Sequence, residues 1–167
     1  MSEDSAPSRF TYITHWPQGT PKDGAAVLEF WRRENAINDE AQAQQRLREV
    51  VLHAVSDTGD IAGVCTAIPI TLPQLGQPMY YYRCFIGRNW RSSRLALHLL
   101  DRTFEVLDGY ARSNAFPCIG MLLELENQRF EKKWRMAVWP WNDFIYIGKS
   151  GRGLGLRVRY FRGARLK

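Results

Sequence analysis

The sequence predicts a single α/β domain of the α+β kind, with a mixed, mostly antiparallel sheet of about seven strands flanked by about four helices. Three observations predict it. Short β-branched or aromatic runs alternate with apolar stripes at helical spacing, in the order β, α, α, β, β, β, α, β, α, β, β. The length of 167 residues, 45% hydrophobic and 24% charged, suits one ordinary domain with a real core. No repeat, low-complexity tract or linker divides the chain.

The elements follow in order. Residues 1–8 are polar and acidic without an apolar run, so they read as a disordered tail and not as a secretory signal, leaving 9–167 as the domain. Arg9 to Thr14, "RFTYIT", is a first strand. Thr20, Pro21 and Asp23 read as the start of a helix, whose stripe is Val27, Leu28, Phe30 and Trp31. A second, more polar helix runs from about Asn38, with Ala41, Ala43 and Leu47 as its apolar content. Two strands then flank the turn residues Asp57 to Asp60, and "MYYYRCFI" is a strongly β-prone fourth strand. From Ser92 to about Arg112 the helical period returns. Ala96, Leu100, Thr103, Leu107 and Tyr110 form one face, and His98, Asp101, Arg102, Glu105 and Asp108 the other. "CIGMLLELEN" is a buried strand, "QRFEKKWRMAV" a short helix, and "DFIYIGKSGRGLGLRVRYF" a hairpin around a Gly-rich turn. That turn lacks the strand-then-helix context and residue order of a nucleotide loop.

Charge and composition narrow the function classes. Seven of the 23 basic residues fall between Lys149 and Lys167, where there are no acids, and the rest of the chain is nearly neutral. Arg157 and Arg159 alternate in the last strand and are expected on one exposed face. No apolar run reaches the roughly 18 residues of a membrane span. Cys65, Cys84 and Cys118 are odd in number and widely spaced, as expected of buried reduced thiols in a cytoplasmic protein. His15, His53 and His98 lie far apart in sequence and suggest no metal cluster, so no metal is expected.

One stretch carries a chemical signal. "FIGRNWRSSRLALHLL", Phe85 to Leu100, begins as a strand, ends as a helix and holds Arg88, Arg91 and Arg94 at the junction. A helix N-terminus offers unpaired N–H groups and a positive dipole, which suit an anion. The element order with this junction after the fourth strand resembles the GNAT superfamily of N-acetyltransferases. That family's signature is Arg or Gln, two residues, Gly, one residue, then Gly or Ala, following an apolar strand end. Here Arg91-Ser92-Ser93-Arg94-Leu95-Ala96 follows Phe85 and Ile86, with Arg94 in place of the glycine. Downstream, Asn127, Phe130, Trp134 and Trp139 fall at the offsets of a second family pattern.

The resemblance implies a divergent GNAT-like transferase using acetyl-CoA as co-substrate. Phe85, Ile86, Arg91, Ser92, Ser93, Arg94, Leu95, Ala96, Asn127 and Trp134 are then the cofactor-binding candidates. Glu124 and Glu126, two apart on the fifth strand, are candidate bases, and Tyr80 and Tyr82 are further catalytic candidates. The bland reading of the two glutamates is pairing with an arginine such as Arg83, or with solvent. Trp134 stands where the family often has an acidic tyrosine, and indole donates a hydrogen bond but supplies no proton. The acceptor is expected to be a small-molecule or peptide amine; no membrane partner is expected, and a homodimer is compatible with the sequence. Two alternatives remain open: a catalytically inactive GNAT-fold binding module, and a binder of nucleic acid or acidic protein through the basic C-terminal hairpin, for which no nucleic-acid motif is present.

Overall fold

In the computed structural model, residues 9–17 and 21–167 are described; the expected tail over 1–8 and the expected cap Thr20 lie outside them. The elements are β1 (Thr11–Thr14), α1 (Gly24–Arg33), α2 (Glu40–Leu47), β2 (Val50–Val55), β3 (Ile61–Thr71) and β4 (Pro78–Ile86). After a 3-10 turn over Arg88–Trp90 come α3 (Leu95–Ser113), β5 (Gly120–Glu124), α4 (Gln128–Lys133), β6 (Ile145–Lys149) and β7 (Gly155–Tyr160). The order matches the periodicity throughout. The strands form one mixed seven-stranded sheet, β1-β2-β3-β4-β5-β7-β6. β5 runs parallel to β4 because the 19-residue α3 provides the crossover that parallel neighbours need.

The chain divides into two compact units, residues 1–66 with 84–106 and residues 67–83 with 107–167, and β3, β4 and α3 contribute to both. In the first unit, Val27, Phe30 and Trp31 of α1 and Ala43 and Leu47 of α2 pack with Val50, Ile61 and Val64. Gly63 marks a close approach: a Cβ there would stand 2.8 Å from Leu99 Cδ1 and 2.9 Å from Ile86 Cδ1. Cys65 and Cys84 form no disulfide, the Cys65 thiol donating to the Cys84 sulfur at 3.5 Å.

In the second unit, Met79, Ile119, Leu122, Leu156 and Val158 form the core. β7 is an inner strand between β5 and β6, and β6 is the edge. The Gly-rich stretch is a hairpin turn, closed by Ser150 N–H to Leu154 O at 2.8 Å and Gly153 N–H to Ser150 O at 2.9 Å. Cys118 is a free, fully buried thiol, and burial pushes its pKa up to about 11.

Four expectations are corrected. α3 begins at Leu95 and not at Ser92, because residues 91–94 are spent on turns. Asp108 is completely buried, where its carboxylate accepts Arg162 N–H at 2.8 Å and pairs with Arg112 at 3.1 Å. Arg157 is 4% exposed, because its inner strand is covered and its guanidinium donates to backbone carbonyls. Its expected place on an exposed face beside Arg159 does not exist. Finally, β1–β2 pairing brings His15 and His53 together: the register sets Ile13 opposite His53, and the two imidazoles meet at 2.8 Å.

Candidate functional site

The junction after β4 belongs to the first unit, and each of its residues has a defined job. The Gly87 N–H donates to Ala62 O at 2.8 Å, which continues the sheet hydrogen bonding one residue beyond the strand. A Cβ on Gly87 would lie 2.9 Å from Cε3 of Trp90, so only glycine lets that ring cover the backbone. Arg88 stays exposed but reaches the buried Glu34: its backbone N–H and Nε both donate to Glu34 Oε2, at 3.2 and 3.3 Å. Burial would raise the Glu34 pKa, but these hydrogen bonds and the charges of Arg88 and Arg33 outweigh it and hold the carboxyl below its ordinary value.

Arg91 folds back over the strand end. Its Nε donates to Ile86 O at 3.2 Å and its guanidinium lies 5.6 Å from the Phe85 ring centre. Ser93 closes the turn through its N–H and hydroxyl, both donated to Trp90 O. Arg94 then adopts φ +60°, the left-handed conformation that favours glycine. For a residue with a Cβ that costs roughly 1–2 kcal/mol. Arg94 thus stands where the resemblance expects glycine, in a conformation that glycine adopts without strain. The Arg94 carbonyl accepts the first α3 bonds, from Leu97 N–H at 3.1 Å and His98 N–H at 3.3 Å. Leu95 anchors the helix start in the core at 1% exposure, while Ser92, Arg94 and Ala96 are exposed. The Leu95 and Ala96 amides precede the first α3 bonds, so this mouth combines their N–H donors, the helix dipole and two guanidinium groups.

The carboxylate candidates belong to the second unit. Glu124 and Glu126 are both gripped by Arg152 of the β6–β7 turn, Glu126 at 2.9 Å, and not by Arg83. The Tyr81 hydroxyl also donates to Glu124 at 3.0 Å. Burial alone would raise the Glu124 pKa; hydrogen bonds from Arg152, Ser150 and Tyr81, with the Arg152 charge, reverse that and keep it below the ordinary carboxylate value. Burial, then the Glu124 hydrogen bond and charge, push the Tyr81 phenol up, so it stays protonated. Arg83 stacks instead over the Tyr81 ring, at 4.8 Å.

The register explains which tyrosine meets the glutamate. Tyr81 is paired with Leu122 and Tyr80 with Met121, so strand alternation puts Tyr81 on the Glu124 face and Tyr80 and Tyr82 on the other. Tyr80 is 2% exposed and packs 6.1 Å from Phe161, and burial pushes its phenol well up. Asn127 caps α4, its side-chain oxygen accepting from Arg129 and Phe130 N–H at 3.1 and 3.3 Å. Trp134 ends that helix and joins an aromatic cluster with Phe130, Trp139 and Trp141, its ring 4.6 Å from Trp141. The Trp134 carbonyl accepts from Trp139 Nε1 at 2.9 Å and from Arg157 at 3.2 Å.

Sequence reasoning missed Tyr81 and Arg152. Tyr81 was findable only through the register of a parallel pair, which composition does not encode. Arg152 was visible as the arginine of the Gly-rich turn, but nothing local says which acid it meets.

No family model matches the chain, and no curated protein matches it in sequence. Solved structures do match in three dimensions. A GNAT-family acetyltransferase from Streptococcus pneumoniae superposes with a TM-score of 0.61 at 14% identity, over 92% of this chain and 100% of that one. A GNAT-family acetyltransferase from Listeria monocytogenes gives 0.55 at 14% identity, over 91% and 95%. A structure described as AtaTR bound with AcCoA gives 0.58 at 13% identity, over 90% and 92%. At this sequence distance the likeness speaks for architecture alone, and the architecture is unambiguous: the chain has the fold of the GNAT acetyltransferases, as a divergent example of it.

Proposed function

We propose that the chain is an N-acyltransferase that takes an acetyl group from acetyl-CoA and passes it to an amine. The observation that carries this reading is Arg94 at φ +60° at the mouth of α3, in a GNAT fold. Residues held in such strained conformations cluster at functional sites, and this one stands at the junction where the resemblance expects the phosphate loop. The residues present fit a pyrophosphate: amides at the helix start, the Ser92 hydroxyl, and the exposed Arg91 and Arg94. Leu95 and Ala96 supply the first-turn amides, and Phe85 and Ile86 form the apolar strand end behind them. Acetyl-CoA, when bound, supplies an activated acyl thioester.

In the second unit Glu124 is the proposed proton acceptor for the amine, with Glu126 as the more exposed alternative. Its carboxylate is ionised and oriented by Tyr81 and Arg152, so it is ready to accept a proton directly or through one water. A lowered pKa makes it a weak base, which favours an acceptor amine that is already partly deprotonated. Tyr80 is too deeply buried to be preferred as a catalytic phenol, and the half-buried Tyr82 is the better tyrosine candidate. Asn127, which caps the start of α4, and Trp134, which follows its end, are kept as cofactor-binding candidates.

The acceptor is proposed as a small-molecule or peptide amine. Nucleic-acid binding by the C-terminal segment loses ground, because Arg152, Arg157 and Arg162 are each engaged within the fold. No helix among the described residues is long and apolar enough to cross a membrane.

Titration with acetyl-CoA, followed by tryptophan fluorescence and thermal melting, tests the reading. A ligand at about 100 times its dissociation constant raises stability by about 2.7 kcal/mol. No shift at millimolar acetyl-CoA overturns it. Binding without acyl transfer to any of a panel of amines leaves a binding module in its place.

A further inference from the structure

β1 and β2 deliver one histidine each to the start of α1, and the residue opening that helix is an aspartate. His15 follows β1, its backbone N–H donating to Val51 O at 2.7 Å. His53 lies in β2, and Asp23 holds the N-cap position of α1. His53 Nε2 stands 3.0 Å from Asp23 Oδ2, His15 Nε2 3.7 Å from Asp23 Oδ1, and the two imidazoles touch through His15 Nε2 and His53 Nδ1 at 2.8 Å. Side-chain exposure is 1% at His53, 9% at His15 and 38% at Asp23. The group is a buried imidazole pair with a carboxylate on its open side.

Two features set it apart from an ordinary buried hydrogen-bond network. An N-cap aspartate normally accepts a hydrogen bond from the first turn of its helix, yet Asp23 makes no side-chain cap bond and turns to the histidines. Asp23 Oδ1 and His53 Nε2 are also buried without a hydrogen-bond partner, even though Nε2 lies at contact distance from the other carboxylate oxygen. Native proteins seldom leave two buried polar atoms so close and unsatisfied. A cation with affinity for both imidazole and carboxylate satisfies them together.

We propose that His15, His53 and Asp23 form a binding site for a divalent transition metal of the zinc class, with solvent completing the coordination on the Asp23 side. One ligand atom from each residue falls within 4.8 Å of the others. Tetrahedral zinc with bonds of about 2.0–2.1 Å needs ligands about 3.3 Å apart, so modest side-chain rotation closes the set. Two imidazoles and one carboxylate suit zinc, copper, iron or nickel, whereas calcium and magnesium take oxygen ligands. The ion would tie β1, β2 and the start of α1 together at one point. His98, exposed on α3, is no part of the group.

The test uses the full chain, stripped with a chelator and titrated with zinc chloride and, separately, cobalt chloride. The expected result is saturable uptake of about one ion per chain and a higher melting temperature with zinc. Cobalt should give the intense visible absorption of a low-coordinate site. Asp23→Asn and His15→Asn, which spare the fully buried His53 and are checked for fold by circular dichroism, should weaken binding at least tenfold; His98→Asn should leave it unchanged. X-ray absorption on the zinc-loaded wild type should report two imidazole ligands and needs no variant. No saturable uptake by the wild type overturns the proposal. So does binding that persists in the Asp23→Asn, His15→Asn double variant or is lost in His98→Asn, or an absorption spectrum without imidazole.

Discussion

Tyr81 and Glu124 meet across the parallel β4–β5 pair, the phenol donating to the carboxylate at 3.0 Å while Arg152 closes on the same oxygen. The arrangement makes stability depend on pH in a defined direction. Burial works against the Glu124 charge, but hydrogen bonds from Arg152, Ser150 and Tyr81 prevail, and the folded pKa lies below the unfolded one. A depressed carboxylate pKa contributes stability above the unfolded value of about 4.3, and that contribution is lost as pH falls through the lower folded value. Thermal melts from neutral to acid pH should show a steeper acid decline in the wild type than in Glu124→Gln. Parallel curves would refute the coupling.

The left-handed Arg94 separates conformation from charge through two substitutions. Arg94→Gly removes both the strain and the guanidinium, and should raise stability by about 1 kcal/mol. Arg94→Ala keeps a Cβ at φ +60° and should leave stability close to wild type. If the charge holds phosphate, both variants bind acetyl-CoA more weakly, and the deficit narrows as salt screens the wild-type advantage. Urea denaturation and ligand titration across ionic strength measure the two effects independently. Tighter binding by Arg94→Gly than by Arg94→Ala would mean that backbone shape matters more than charge.

Arg157 is a structural cation. Its guanidinium donates to the carbonyls of Met136 at 2.8 Å, Trp134 at 3.2 Å and Ala137 at 3.3 Å, with its centre 4.4 Å from the Trp139 ring. The buried arginine joins Trp139 Nε1 and the Tyr146 N–H in satisfying the carbonyls of the segment after α4. Arg157→Met fills the volume but removes the donor to the Met136 carbonyl, while the Trp134 and Ala137 carbonyls keep Trp139 Nε1 and the Tyr146 N–H, at a cost of about 1–3 kcal/mol. Arg157→Lys lacks the planar fork and should recover only part of that loss. Chemical denaturation of both variants, with tryptophan fluorescence as the probe, checks the ranking.

These residues mark where sequence reasoning stops. Apolar periodicity gave the element order completely, because burying one face of each strand and helix is a local constraint written every two or three to four residues. The turn at Ser150–Leu154 and the hairpin at Asp57–Asp60 were legible for the same reason, being short-range chemistry. Arg157, expected on an exposed face, and Asp108, expected on the polar face of its helix, are both buried because burial depends on what covers them from distant segments. His15 and His53, 38 residues apart, meet only through strand register. Arg94 is the intermediate case: the position was singled out, but a left-handed φ in a non-glycine residue has no local signature.

Gly87 offers the last test, of the junction's shape. Its φ of −59° is open to any residue, so nothing in its own backbone requires glycine. The requirement comes from Trp90, whose ring atoms lie 2.9 and 3.0 Å from where a Cβ would be, with Phe30 at 3.2 Å behind it. Gly87→Ala must therefore displace the Trp90 ring or the turn that carries it. Overpacking of this kind costs about 1–3 kcal/mol. Since Ser93 closes its turn on the Trp90 carbonyl, the displacement passes directly to the residues before α3. The variant should lose stability and show altered tryptophan emission, and its acetyl-CoA affinity should fall more than that of a control such as Gly109→Ala, whose added Cβ meets nothing within 4 Å. Equal affinities in the two variants would detach the shape of this junction from ligand binding.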